Sequence, residues 1–322
     1  MAWRWQLNIF YLFFIAMSYI CDMQSIKKYL LVALKGLGMG AADVIPGVSG
    51  GTIAFMTGIY QELVDSIKSI NLDSLKLLFK LKLKEFWKAI NGNFLFSLVA
   101  GIFISVFSLA KLMQYLLVAH PIPLWSFFFG LILVSIIFIL KDMKCFTYKH
   151  FISLMVGIAI GAFICLTAPA ETPDNLLFLF LCGAIAICAM ILPGISGSFV
   201  MLLLGKYAFI MDAVANFKIV ILLVFASGAV IGLLSFSHLL SWLLKKFYEA
   251  TLYLLCGLMV GSMLKIWPWK LSLSSGIDHP IWPGQYAGNP QLASAFIWML
   301  VGVALVVAIN LMAAKGKEKA SN

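Results

Sequence analysis

The chain has 322 residues, of which 63% are hydrophobic and only 11% charged, with a formal net charge of +10. A soluble domain carries about a quarter charged residues, so the composition excludes a soluble globular protein and defines a polytopic membrane protein. The positive balance does not point to nucleic acid: Arg4 is the only arginine, and the lysines sit between apolar runs, where positive residues mark cytoplasmic loops.

Residues 1–22 are apolar but lack a small-x-small cleavage site, which argues against a removable signal and leaves an optional N-terminal anchor helix. Met23, followed by Lys27 and Lys28, is an alternative start. Region 29–66 is too long for one crossing and is interrupted by Pro46-Gly47-Val48-Ser49-Gly50; region 176–214 is interrupted alike by Pro193-Gly194-Ile195-Ser196-Gly197. Each flank is ~17–25 Å of helix, short for a span of about 20 residues. A pair of half-helices that enter the membrane and return fits both regions.

Between the first broken region and the first span lies a linker, 68–92, with six lysines against Asp73 and Glu85. Lys76, Lys80, Lys84 and Lys88 recur every four residues, predicting one striped helix at the cytoplasmic interface, in contact with anionic membrane lipid. Full spans are expected at 94–117, 123–140, 151–168, 218–243, 249–266 and 292–313. Lys141, Lys144, Lys149, Lys245, Lys246 and the tail lysines Lys315, Lys317 and Lys319 mark the cytoplasmic side. Glu171 and Asp174 without lysine, and the Trp-rich loop 267–291, mark the outside. The six cysteines form no CxxC, lie mostly in apolar runs, and read as small buried hydrophobes rather than a disulfide or metal set.

The chain repeats itself. Residues 43–67 match 190–214 at an offset of 147 with seven identities, including Pro46/Pro193, Gly47/Gly194, Ser49/Ser196 and Gly50/Gly197. Later matches continue at offsets of 127 (Gly101/Gly228, Gly130/Gly257) and 145 (Gly157/Gly302), the drop of 20 being the Lys-rich linker. Each half is thus a broken hairpin followed by three spans. Three is odd, so the second hairpin must enter from the opposite face. The expected fold is an all-α polytopic membrane protein with an inverted-topology repeat, each half a re-entrant broken hairpin plus three transmembrane helices. The expected order is anchor (1–22), first hairpin, linker and two spans (23–145), third span and outer loop (146–175), second repeat (176–314) and cytoplasmic tail (315–322). Inverted repeats with discontinuous helices at the midplane typify alternating-access transporters.

Non-helical backbone in hydrocarbon leaves amides unpaired at several kcal/mol each, so it persists where protein, water or ligand satisfies it. The candidate site is therefore the two elbows: Pro46, Gly47, Ser49, Gly50, Gly51 and Thr52 in the first, and Pro193, Gly194, Ser196, Gly197 and Ser198 in the second. Two helix starts facing each other would offer amides, hydroxyls and partial positive charge to one anion. Close helix packing through small residues is the alternative. Asp43 precedes the first elbow where the second half has Met190. It either carries a coupling proton or caps the turn and pairs with Lys35. Lys111 aligns with His238, both inside apolar spans, and either supplies positive charge toward an anion or snorkels to the interface.

PGxSG resembles the PGxSRS motif of membrane undecaprenyl-diphosphate phosphatases, but Gly50 and Gly197 stand where the arginine would be. The elbows read as able to hold a phosphate without the charge needed to transfer it. The segments "KGLGMGAADVIPGVSGGTIAFMTGIYQELVDSI" and "MILPGISGSFVMLLLGKY" resemble the two signature segments of the PopT-type polyprenyl-phosphate translocases, over about residues 29 to 312. The resemblance implies a multi-pass carrier in the bacterial cytoplasmic membrane, with its C-terminus cytoplasmic. It would return undecaprenyl phosphate from the outer to the inner leaflet for peptidoglycan and other envelope polymers. It implies no cofactor, no metal and no nucleic-acid partner, and leaves a homo-oligomer open. A transporter of a small soluble anion and a lipid-phosphate phosphatase remain the rival readings.

Overall fold

A computed structural model describes residues 26–45, 48–143, 146–170, 172–272 and 278–321. The anchor expected at 1–22 lies outside them. Among the described residues the structure is helical apart from one two-stranded ribbon and the connecting loops. Helix α1 (26–43) leads to a break at 44–49, then to α2 (Gly50–Met56) and α3 (Tyr60–Lys68). Two short helices follow, α4 (Leu72–Phe79) and α5 (Leu83–Ala89), then the long α6 (Gly92–Ala119), α7 (Pro121–Asp142) and α8 (Tyr148–Leu166). The second half runs through α9 (Leu176–Ile191), a break, α10 (Gly197–Leu203), α11 (Tyr207–Ala215), α12 (Ile219–Lys246), α13 (Tyr248–Ile266) and α14 (Leu292–Ser321). Between α13 and α14, strands β1 (Lys270–Ser272) and β2 (Asp278–Pro280) pair antiparallel, in a loop the sequence reading left unstructured.

Six of these helices, α6, α7, α8, α12, α13 and α14, are long and apolar enough to cross a membrane. They fall where the apolar runs predict spans, and they make this a multi-pass membrane protein. Local chemistry sets their ends. Pro121 supplies a fixed φ at the first turn of α7 and disfavours helix at His120, so α6 stops there. Asn175 caps α9 by accepting the Phe178 amide at 2.7 Å.

The Lys-striped helix expected over 76–88 is a correction. Leu81 adopts φ 55°, the left-handed region that ends a helix, and the chain turns between α4 and α5. Lys80 closes α4 and Lys82 opens α5, so the stripe is broken. Lys76 pairs with Asp73 at 2.8 Å and Lys82 with Glu85 at 2.9 Å. The hydrogen bond and charge of Lys76 hold the exposed Asp73 carboxyl below its ordinary range.

Each broken region also has a second interruption, after α2 and after α10. Gly58 (φ 73°) and Gly205 (φ 64°) take left-handed conformations there, which glycine adopts without penalty. They are themselves a matched pair at the 147-residue offset. Across the second of these turns α10 and α11 meet at 113°.

The same offsets recur in packing. Gly36 of α1 lies against the Leu98 backbone of α6, and Gly183 of α9 lies against Phe225 of α12. Gly130 of α7 meets Met299 of α14, and Gly257 of α13 meets Leu154 of α8. In the return contacts Gly157 touches Leu254 and Gly302 touches Phe127. A Cβ at any of these glycines would run into a carbonyl. Lipid supplies no hydrophobic drive between helices, so such close approach is how they hold together. The buried core lies where α1, α2, α7 and α13 converge on the elbows, with Ala42, Ile45, Val64, Leu255 and Met259 nearly or wholly inaccessible.

Candidate functional site

The two elbows touch. In the first, Val44 and Ile45 bond back to Gly40 and Ala42, and the Val48 amide bonds to the Ile45 carbonyl at 3.1 Å. Ser49 is then extended (φ −120°, ψ 133°) and caps α2, its hydroxyl accepting the Gly51 amide at 3.1 Å. That hydroxyl lies 3.2 Å from the carbonyls of both Met190 and Leu192, where α9 ends. In the other direction the Gly194 amide donates to the Thr52 hydroxyl at 2.8 Å. Ser49 and Thr52 are fully buried, and a Cβ on Gly51 would collide with the Ile191 carbonyl. Hydroxyls of the first elbow thus satisfy unwound backbone of the second, which offsets part of the cost of breaking a helix in hydrocarbon.

The two helix starts are not equivalent. Asp43 accepts the Gly50 amide at 2.7 Å, so a carboxylate of the chain itself occupies the start of α2. The alternative pairing with Lys35 does not form: the Lys35 ammonium instead donates to the Thr57 carbonyl at 2.9 Å. With Thr52 donating to the Ser49 carbonyl at 3.0 Å, the first-turn amides of α2 are engaged inside the protein. At the start of α10 the equivalent of Asp43 is Met190. Ser196 makes no bond to an α10 amide; its hydroxyl meets that of Ser198 at 2.8 Å. The first turn of α10 therefore lacks a side-chain cap and keeps the donor character of a helix start.

The elbow glycines are accounted for by the protein's own chain. Gly50 faces the Asp43 carboxylate and Gly197 the Ala186 carbonyl. Gly194 has φ 87°, and a Cβ there would lie 2.6 Å from the Ser262 hydroxyl. Pro193 is buried in the second elbow. Pro46 and Gly47 lie outside the described residues, as does the Lys111 side chain. His238 sits on an exposed face of α12, its Nδ1 2.7 Å from the Leu234 carbonyl, and not with the elbows.

Two cations stand near the elbows: Lys265, which sequence reasoning passed over, and Lys35, which it weighed only as a partner for Asp43. Lys265 of α13 lies 4.5 Å over the Phe199 ring in the first turn of α10. Lys35 lines a groove of about 960 Å³ beside the first elbow, bounded by α1, α2, α6, α7 and α14. Lys265 belongs to no motif, its only signal being a lone lysine inside an apolar stretch, whereas Lys35 opens the first signature segment.

A buried, paired break in two matched hairpins defines the class: a membrane protein with discontinuous helices joined at one point. The model of the VCA0040-like family, described as undecaprenyl phosphate translocase-like, matches residues 39–280, and the chain belongs to that family. It is 48% identical over 302 residues to the polyprenyl-phosphate transporter of Vibrio cholerae serotype O1, covering 89% of this chain and 98% of that protein. It is 34% identical over 253 residues to the polyprenyl-phosphate transporter of Staphylococcus aureus, covering 73% and 85%. No solved structure matches the chain.

Proposed function

We propose that this protein is an alternating-access carrier of polyprenyl phosphate. In this reading it returns undecaprenyl phosphate from the outer to the inner leaflet of the bacterial cytoplasmic membrane, through an inverted repeat whose hairpins are re-entrant. Family membership and the names of the relatives support the substrate class. Matched glycine contacts at the same offsets support the repeat, and an odd number of spans per half supports its inversion.

The single observation that carries the mechanism is the pair of hydrogen-bonded contacts between elbows, Ser49 to the end of α9 and Gly194 to Thr52. They join the two halves by a few polar bonds at the centre of the fold, where rocking would part them. The rest of the molecule is asymmetric in the way such a cycle requires. Asp65 of α3 accepts from Ser241 of α12 at 2.6 Å and pairs with Lys245 at 3.3 Å, tying one half to the other. Its counterpart Asp212 stays within its own half, with Lys218 at 2.6 Å. Among the described residues the first of these matched carboxylates bridges the halves and the second does not.

On this account the phosphate is held by the first turn of α10 with Ser196 and Ser198, and Asp43, on the start of α2, is the proton-coupling group. Gly50 and Gly197 leave no arginine at the elbows, so hydrolysis is not the favoured reading. The long apolar groove favours a lipid over a soluble anion. Replacing Ser49 and Ser196 together by alanine should slow carrier recycling in a bacterial strain stripped of its own translocases. Full restoration of recycling by that double variant would place the phosphate elsewhere.

A further inference from the structure

The groove beside the first elbow has a chemistry of its own. Its volume is about 960 Å³, at the upper end of the ~300–1,000 Å³ usual for small-molecule sites. Gln291 and Ile309, which bound it along α14, are 18 residues apart. That is ~27 Å of helix, close to the ~30 Å of a bilayer's hydrocarbon. Between those ends the walls are apolar, with Phe127, Phe128 and Leu131 of α7 facing Trp298 and Leu305 of α14. Trp298 and Leu305 are each 45% exposed, so the groove opens sideways toward lipid.

Among the described residues Lys35 is the only lining residue of fixed charge. Its ammonium has three donors and gives one to the Thr57 carbonyl, at the turn between α2 and α3. It forms no ion pair among the described residues. A cation held in an apolar wall is costly when no carboxylate contacts it, and Glu62 acts on Lys35 only through space, without an ion pair. Ala41, two residues from Asp43, also lines the groove, so it reaches the first elbow.

We propose that this groove is the seat of the lipid substrate: a single long prenyl chain along α7 and α14, with its phosphate monoester on Lys35. The inference rests on the carrier reading and deepens it. One cation matches one small anionic head, and a single apolar trough matches a stretch of one prenyl tail, the rest of which lies in the bilayer. A small soluble anion would leave most of the trough wet and unpaired. A two-tailed phospholipid would place only one of its two chains in a single trough. Lys35 is then the first phosphate contact, and the elbows receive the head from it.

The test uses the purified full chain in vesicles of phosphatidylethanolamine and phosphatidylglycerol, with a polyprenyl phosphate bearing a diazirine on its chain. Photolabel is expected on the peptides containing Phe127 and Trp298. Polyprenyl phosphate should displace the probe, and the uncharged polyprenol should be about tenfold weaker, the loss expected for one charged hydrogen bond. Lys35→Gln should abolish that difference and Lys35→Arg should keep it. Leu305→Trp, a change at a half-exposed wall, should fill the groove and cut labelling if Lys35→Gln fails to fold. Label mapping elsewhere, equal competition by polyprenol or phosphatidylglycerol in the wild type, or full labelling of Leu305→Trp would overturn the proposal. Leaflet exchange in the same vesicles separates the two ideas. Exchange with label outside the groove removes the groove and leaves the carrier; label inside it without exchange removes the carrier and leaves the groove.

Discussion

Asp43 shows how one side chain makes two similar elbows different. Its carboxylate accepts the Gly50 amide, while Met190 leaves α10 without an equivalent partner. Two roles are folded into that contact, a cap and a charge, and two variants separate them. Asp43→Ala removes the acceptor and should cost about 1 kcal/mol of stability, the usual loss for a helix cap. Asp43→Asn keeps an oxygen for the Gly50 amide but removes the charge. It should melt within error of the wild type and still lose proton-coupled transport. Thermal unfolding in detergent together with transport in vesicles checks this. Equal losses of stability in both variants would reduce Asp43 to a cap. This residue was legible as a candidate because a carboxylate in an apolar segment needs a reason. Its choice of the Gly50 amide over Lys35 was not legible, because only the course of the chain through the elbow decides which is within reach.

At the scale of elements, the six spans and both breaks were readable from hydropathy and from the repeated Pro-Gly, since those are properties of composition along the chain. The linker was not. Lysines four apart predict a stripe only if the helix is continuous, and Leu81 in a left-handed conformation shows that it is not. Nothing at Leu81 announces this, for leucine is a good helix former. The contact between α3 and α12 is likewise tertiary. Asp65 and Lys68 lie far in sequence from Ser241 and Lys245, yet the four form one polar cluster, with Lys68 3.2 Å from the Ser241 hydroxyl. If this cluster holds one end closed, Asp65→Asn with Ser241→Ala should shift the population toward opening at that end. In a cysteine-free background, Ser198→Cys should then react with a membrane-impermeant thiol reagent about tenfold faster from the Lys-rich side, the shift expected for one charged hydrogen bond. An unchanged rate would make the cluster merely structural.

For the whole molecule, the two halves are linked by reciprocal contacts, α7 with α14 and α8 with α13, and meet where hydroxyls of the first elbow bond the backbone of the second. Sequence matching predicts a duplication, and the glycine contacts at the same offsets are consistent with it. It was not enough to show that the donors of the first elbow are engaged internally. That requires knowing that Ser49, Met190 and Leu192 share a point despite lying more than 140 residues apart. The account therefore comes down to whether a lipid phosphate crosses the bilayer through this chain. The direct measurement is the leaflet exchange of a fluorescent polyprenyl phosphate in vesicles holding the purified protein, followed by quenching from outside, with and without a pH gradient. The account predicts exchange well above that of protein-free vesicles and slowed by the Ser49→Ala, Ser196→Ala pair. Exchange no faster than in protein-free vesicles, under either gradient, would contradict it.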